Sequence, residues 1–491
     1  MTAFSSTALS VIVGTLICVV TYKFSARQRE LQADNQLAAA NGCLLPEKWN
    51  STWPLGLDLL VKAFHYDRRQ QILKFFLDVV DTSGTTFEQN LLFARGIDTI
   101  DPQNIQALLS TQFTSQLRTR TAIANILPLM GSGIFTQDGA QWRHSRELLH
   151  PQFMTNWFTN FEQIYNTVDN LISSIPDNSV VDLQPLFFHL TFKTTLFLLF
   201  GQYLPSLKSE GITGQESDFA NTYNIGQDYL AKHGQLVHSI CHEFVDCANS
   251  ATKTGTYTFI NALIKETQNP EVLQDQCLNI LLAGRDTTYP HVLSKLQAEI
   301  RDTVRVGPRH SLSLPCHQRR YFYLKLQIQS HYPNLANLPV LRLYPSVPVN
   351  SRAATKTTTL PTGGGPTGTA PILVRKGEAV GYCVYAMHRH RDIYGTNADE
   401  FRPERWENNA LKDVGWGYLP FNRGPRICLG QEFVLLEAGY TIVRLLQTFE
   451  VIEQAEGCRM EERIGEERQV LTLVVSCGKG CVVRMRRYGE M

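Results

Sequence analysis

At 491 residues the chain exceeds the usual size of one domain, yet no Pro/Ser linker or charge block divides it, so one large folded unit behind a short N-terminal extension is expected. Lys and Arg number 46 against 45 Asp and Glu, a formal net charge of +1, which leaves no electrostatic footprint for nucleic acid. The 11 cysteines show neither C-x-x-C pairs nor framework spacing, which points to reduced thiols and away from a disulfide scaffold or a zinc site.

Residues 1–22, MTAFSSTALSVIVGTLICVVTY, carry no charged side chain, and as a helix they reach about 33 Å, the thickness of a bilayer core. A membrane span is expected there. Lys23, Arg27 and Arg29 follow it and predict that the body of the protein stays in the cytosol, with the sequon Asn50-Ser51-Thr52 unglycosylated. The expected division is therefore 1–34, an N-terminal membrane anchor with its basic flank, and 35–491, the folded domain that follows it.

Along that domain, residues 130–153, MGSGIFTQDGAQWRHSRELLHPQF, set Trp142 and Arg146 four apart, on one face of a predicted helix. Residues 271–288, EVLQDQCLNILLAGRDTT, read as an apolar helix ending in small residues and then Asp286-Thr287, an acid and alcohol pair able to relay protons, though alone such a pair is a common cap or turn. Residues 306–340 show neither a helical nor a strand period. LRLYPSVPVNSRAA follows at 341–354, and then TTTLPTGGGPTGTAP, which reads as an exposed loop without the Lys-Ser/Thr ending of a phosphate cradle. The C-terminal QVLTLVVSCGKGCVVRMRR alternates apolar and polar residues around Gly-Lys-Gly and predicts a closing hairpin.

The most informative run is FNRGPRICLG, residues 421–430, just before the apolar helical stretch VLLEAGYTIVRLL. It sets Phe421, Gly424, Arg426, Cys428 and Gly430 in one frame. A cysteine at the mouth of a helix has its thiolate stabilised by the N-terminal dipole and by free backbone N–H groups, and the two glycines let the backbone turn close to a flat group.

This frame, F-x-x-G-x-R-x-C-x-G, resembles the haem-ligand loop of the cytochrome P-450 family, with every fixed position present. The resemblance implies a mainly α haem-thiolate fold with a small β portion, and a monooxygenase that inserts one atom of dioxygen into a hydrophobic substrate. Cys428 would be the iron ligand, with Phe421 and Arg426 in the cofactor loop. Trp142, Arg146 and Arg352 would join Arg426 at the haem propionates, and Asp286 with Thr287 would form the proton relay. The implied partners are a hydrophobic small molecule, an NADPH-dependent reductase and the endoplasmic reticulum membrane. The phrase around Trp142 looks closest to the fungal long-chain alkane and fatty-acid hydroxylases of that family.

The chain also departs from the pattern. Pro290 interrupts the helix that family members continue beyond Thr288, and roughly three to four turns are absent between Thr288 and the text that resumes at 290. The family's Glu-x-x-Arg before LRLYP is missing, because Pro339 stands three residues before Arg342; Arg342 and Arg405 would then lack their carboxylate. Residues 289–340 are atypical throughout. Two explanations compete: a catalytically silent or haem-poor relative, or a gene model that skipped coding sequence and translated an intron. Loss confined to one segment between intact motifs favours the second.

Overall fold

The computed structural model of the chain describes residues 6–49, 51–113, 117–118, 127, 130–155, 157–200, 259–267, 269–284, 340–402, 404–406, 411–456, 467–471 and 474–489. In chain order, the elements used below are α1 (Ser6–Ala40), β1 (Glu47–Lys48), β2 (Thr86–Leu91), β3 (Ala94–Thr99), α2 (Pro102–Gln106), β4 (Leu117–Arg118), α3 (Gly139–Thr155), α4 (Trp157–Ser174), β5 (Ser179–Asp182), α5 (Leu183–Phe200), α6 (Pro270–Gly284), β6 (Val349–Ala354), β7 (Thr358–Gly364), β8 (Ala370–Val374), β9 (Ala379–Cys383), α7 (Gln431–Thr448), β10 (Phe449–Gln454), β11 (Gln469–Leu471), β12 (Val475–Cys477) and β13 (Val482–Arg487). The mainly α fold with a small β portion is as the sequence leads one to expect. Asp286, Thr287 and nearly all of the atypical stretch 289–340 lie outside the described residues.

The transmembrane helix expected over residues 1–22 is not supported: among the described residues, no helix is long and apolar enough to cross a membrane. Residues 1–5 lie outside the described ones. The same helix α1 runs on through Lys23, Arg27, Arg29, Glu30 and Asp34, whose charges hydrocarbon does not admit.

The chain divides into two units. The first comprises residues 1–57, 82–118 and 351–382. Its mixed sheet has the order β1-β2-β3-β9-β6-β4, with β2 and β3 antiparallel and β3 and β9 parallel. Helix α2 begins where local chemistry dictates: the Asp101 carboxylate accepts from the backbone N–H groups of Gln103 and Asn104, and Pro102 fills the first turn. Inside it, fully buried Asn104 donates to Thr86 Oγ1, Thr99 Oγ1 and the Thr362 carbonyl, each at 3.2 Å. Arg95 is held between Glu88 (2.7 Å) and Glu378 (2.5 Å).

The Thr/Gly/Pro tract expected as a loop is mostly the hairpin β7–β8, antiparallel with a register shift between Leu360 and Gly364. Glycine explains the difference, since at φ +109° Gly363 lets the strand lie against the Thr86 side chain, where a Cβ would overlap it.

The second unit comprises residues 58–81, 119–350 and 383–491. Its apolar core joins α4, α5, α7 and β13 through Ile164, Val168, Leu190, Val443, Phe449 and Met485. Two polar ties reinforce α7: Arg444 pairs with Asp169 of α4 at 2.6 Å, and Thr194 of α5 donates to the buried Glu437 carboxyl. The C-terminal hairpin is also rearranged, because β11 pairs with β12 while β13, beyond Gly-Lys-Gly, pairs with β10 and β5. A register that buries Met485 in the core decides that pairing.

Candidate active site

The cysteine loop belongs to the second unit. Gly424 at φ +73° opens a single tight turn, Gly424–Arg426, and the Cys428 N–H closes the loop on the Phe421 carbonyl at 3.1 Å. Helix α7 starts directly after Gly430 with no side-chain cap, which leaves its first backbone N–H groups facing the loop. The apolar core and the two ties on α7 thus determine where Cys428 sits.

Cys428 is exposed to solvent although protein atoms ring it so closely that burial pushes its thiol pKa up; the Gly430 N–H and the Arg146 charge act the other way. A thiol that is both reachable and desolvated faces an interior space rather than the outer surface. The dipole argument alone anticipates a stabilised thiolate. Here desolvation outweighs it and holds the thiol pKa above its ordinary value.

Arg146 and Arg426 converge from opposite parts of the chain on Trp142. Trp142 is 7% exposed and lies one turn before Arg146 on α3. The Arg146 guanidinium is 5.9 Å from the Trp142 ring and donates to the Ile427 carbonyl at 3.0 Å. The Arg426 guanidinium is 4.5 Å from the same ring and donates to the Gln137 carbonyl (2.9 Å) and to Asp138 Oδ1 (2.8 Å). Two cations and one thiol therefore share one small region, a donor set suited to an iron-bearing group with anionic substituents. Of the other expected site residues, Phe421 lends its carbonyl to the loop. Arg352 belongs to the first unit, where its guanidinium lies 6.0 Å from the Tyr382 ring and donates to the Ser351 carbonyl at 2.7 Å. Asp286 and Thr287 are outside the described residues.

Sequence reasoning missed the scaffold behind this cluster. The segment 130–138 is laced to α6: Asp275 accepts from the Ser132 N–H (2.7 Å), Asn279 accepts from the Phe135 N–H (3.1 Å) and donates to the Met130 carbonyl (2.8 Å), and Gln276 donates to Ser145, 2.7 Å away. Ser145 donates on to Gln137 Oε1 at 2.5 Å. Gly131 and Gly133 are the legible trace of this contact, because a Cβ at either would overlap the Asp275 or Asn279 side chain.

Where Arg342 and Arg405 were expected to lack a carboxylate, the described residues show backbone acceptors: Arg342 donates to the carbonyls of His388 (2.7 Å), Ala398 (2.5 Å) and Glu400 (2.9 Å), and Arg405 to those of Tyr394 (2.6 Å) and Asn397. Backbone oxygens of residues 388–400 stand in for part of the missing carboxylate.

The chain matches the family described as Cytochrome P450 over residues 52–472. A protein named "Cytochrome P450" from Arthroderma benhamiae is 59% identical over 520 residues, covering 98% of this chain and 99% of its own. "Cytochrome P450 52A13" from Debaryomyces hansenii is 38% identical, with 85% of this chain and 87% of its own covered. "Cytochrome P450 52A5" from Candida maltosa is 41% identical, with 75% and 77% covered. The solved structure titled "Crystal structure of cytochrome P450DA heme domain" superposes with a TM-score of 0.73 at 20% identity, over 91% of this chain and 98% of that one, and so shares the fold.

Proposed function

The chain belongs to the cytochrome P450 family, and on that premise we propose that it hydroxylates long-chain alkanes or fatty acids near a chain end, with Cys428 as the ligand of its haem iron. The cofactor of the family is a haem with thiolate-ligated iron, and the enzyme is a monooxygenase. When bound, the haem supplies dioxygen activation; the protein supplies position, charge and exclusion of water. Cys428 carries the reading, because among the described cysteines it alone combines solvent access, the Gly430 N–H and a neighbouring guanidinium at a helix mouth.

In this reading Trp142, Arg146, Arg426 and Arg352 would hold the propionates, Phe421 would lie in the cofactor loop, and Asp286 with Thr287 would serve as the proton relay. Electrons come from an NADPH-dependent reductase. The substrate class rests on the likeness of the phrase around Trp142 to fungal alkane and fatty-acid hydroxylases. Leu16, Ile17, Val19, Val20 and Phe24 expose apolar surface on α1, which supports residence of residues 1–34 at the endoplasmic reticulum membrane, ahead of a catalytic domain from residue 35.

A reduced sample under carbon monoxide tests the ligand: the red-shifted Soret band of thiolate-ligated haem is expected, and Cys428→Ala abolishes it. An unchanged band in the variant refutes the assignment. Spectral titration with dodecane and long fatty acids tests the substrate class, which falls if only aromatic compounds shift the spectrum. The second reading, a haem-poor relative, is favoured by one observation: the 520-residue alignment with the Arthroderma protein is longer than this 491-residue chain, so that relative carries residues with no counterpart here. Messenger RNA reads across residues 285–345 separate a misread gene from a degenerate one.

A further inference from the structure

Two acceptors of Arg426 are consecutive residues, and both take the same nitrogen: Nη2 donates to the Gln137 carbonyl at 2.9 Å and to Asp138 Oδ1 at 2.8 Å. With one edge of a rigid planar fork pinned in this way, the dipeptide sets the plane in which the rest of the guanidinium lies. Arg426 closes the tight turn Gly424–Arg426 that leads into Cys428. The placing of Gln137 and Asp138 therefore decides where the positive charge of the cysteine loop is aimed.

Gln137 is in turn held through both ends of its side-chain amide. Its Nε2 donates to the Ser132 carbonyl at 2.8 Å, within the same segment, and its Oε1 accepts from the Ser145 hydroxyl of α3 at 2.5 Å. The Ser145 oxygen itself accepts from Gln276 Nε2, on α6, at 2.7 Å. Ser145 is 3% exposed and Gln276 2% exposed, so water does not compete for these bonds. A buried hydroxyl inside a helix ordinarily turns back to a carbonyl of the preceding turn, as those of Thr191, Thr194 and Thr195 do on α5. Ser145 instead bridges two side chains from outside its own helix, an arrangement that serves Gln137 and not α3.

We infer that Ser145, backed by Gln276, is a positioning residue for Arg426 at the haem, acting through Gln137. This rests on the reading of Arg426 as a partner of the propionates. Without the Ser145 hydroxyl, Gln137 keeps only its hold on Ser132, and its carbonyl no longer fixes Arg426 Nη2 in one place. A cation that moves away from anionic substituents offsets less of their charge, because the attraction falls with distance. Less offset charge makes addition of an electron to the iron less favourable, so the reduction potential falls.

Haemin titration of the full chain and spectroelectrochemistry of the loaded protein test this. Ser145→Ala is expected to take up haemin about tenfold more weakly, the scale on which loss of an outer partner weakens a bound metal group, and to show a midpoint potential below that of the parent. Ser145→Thr keeps the hydroxyl and is expected to match the parent. In an Arg426→Gln background, Ser145→Ala is expected to leave the potential where it is, because the residue it acts through is gone. Should Ser145→Ala fail to fold, Gln276→Met removes the donor at the far end of the chain of bonds and is read in the same way. A parent-like potential in Ser145→Ala, whatever its unfolding midpoint, overturns the inference, as does the same shift in Ser145→Thr or in the absence of Arg426. A parent chain that takes up no haemin overturns the haem reading and the inference together, whereas failure of the inference alone leaves the Cys428-dependent carbon monoxide band intact.

Discussion

The Arg426 guanidinium rests 4.5 Å from the Trp142 ring and reaches past it to Asp138 Oδ1 at 2.8 Å. The arginine comes from the cysteine loop, while the other two residues come from the start of α3. Asp138 thereby fixes the rotamer of a cation that the sequence pattern marks only as a cofactor contact. Both partners are largely buried, at 16% and 18% side-chain exposure, so the pair is worth more than a surface bridge.

Asp138→Ala should therefore destabilise the protein by about 1–3 kcal/mol, the cost of a partly buried charge left without its acceptor. Arg426→Lys should recover less than full stability, because an ammonium cannot span the Gln137 carbonyl and a carboxylate with the geometry of a guanidinium. Urea unfolding midpoints check both.

Gly133→Ala should cost about 1–3 kcal/mol, since the new methyl overlaps the Asn279 side chain and Asn279 must give up its hold on Phe135 and Met130 to make room. Gly139→Ala is the control. Gly139 has φ +60° and nothing within 4 Å of an added Cβ, so only the backbone term of about 1 kcal/mol applies. Equal losses in the two variants would show that the loop is not clamped on α6.

Glu437 gives a pH signature. Burial raises its pKa to about 7, against the weaker opposing effect of the Thr194 hydroxyl. Below the unfolded value near 4.5 the carboxyl is protonated in both states and costs nothing. As pH rises towards 7 the unfolded chain ionises first, so the native state loses stability; above 7 the loss is constant, on the order of 3 kcal/mol. Glu437→Gln should match the parent at pH 4 and exceed it increasingly up to pH 7. Denaturant titrations at several pH values measure that gap.

His388 acts in the opposite direction. Burial, with Arg342 and Arg389 adding to it, pulls its pKa down to about 3, while its bond to the Arg342 carbonyl opposes this. The neutral ring contributes stability that is fully present above the unfolded value of 6.5 and is lost as pH falls towards 3, at up to roughly 1.4 kcal/mol per unit. Between pH 6.5 and 5 the stability difference between the parent and His388→Gln should change with that slope, the opposing Glu437 contribution being common to both and cancelling in the difference.

Much of the site was legible in the residues themselves. F-x-x-G-x-R-x-C-x-G states a tight turn, a cation and a thiol at a helix mouth, all governed by nearest-neighbour backbone chemistry, and the four-residue step from Trp142 to Arg146 follows from helical geometry alone. The Asp101-Pro102 helix start is local in the same sense. Partners far apart in the chain were not legible. That Arg426 meets Asp138, that Glu437 meets Thr194, and that β13 pairs with β5 and β10 rather than β12 depend on how α4, α5 and α7 bury their apolar faces together. The charge state of Cys428 shows the same division: its place at a helix N-terminus argues for a thiolate, whereas the depth at which the fold encloses it favours the thiol, because desolvation is set by every atom packed around the sulfur and not by its neighbours in sequence.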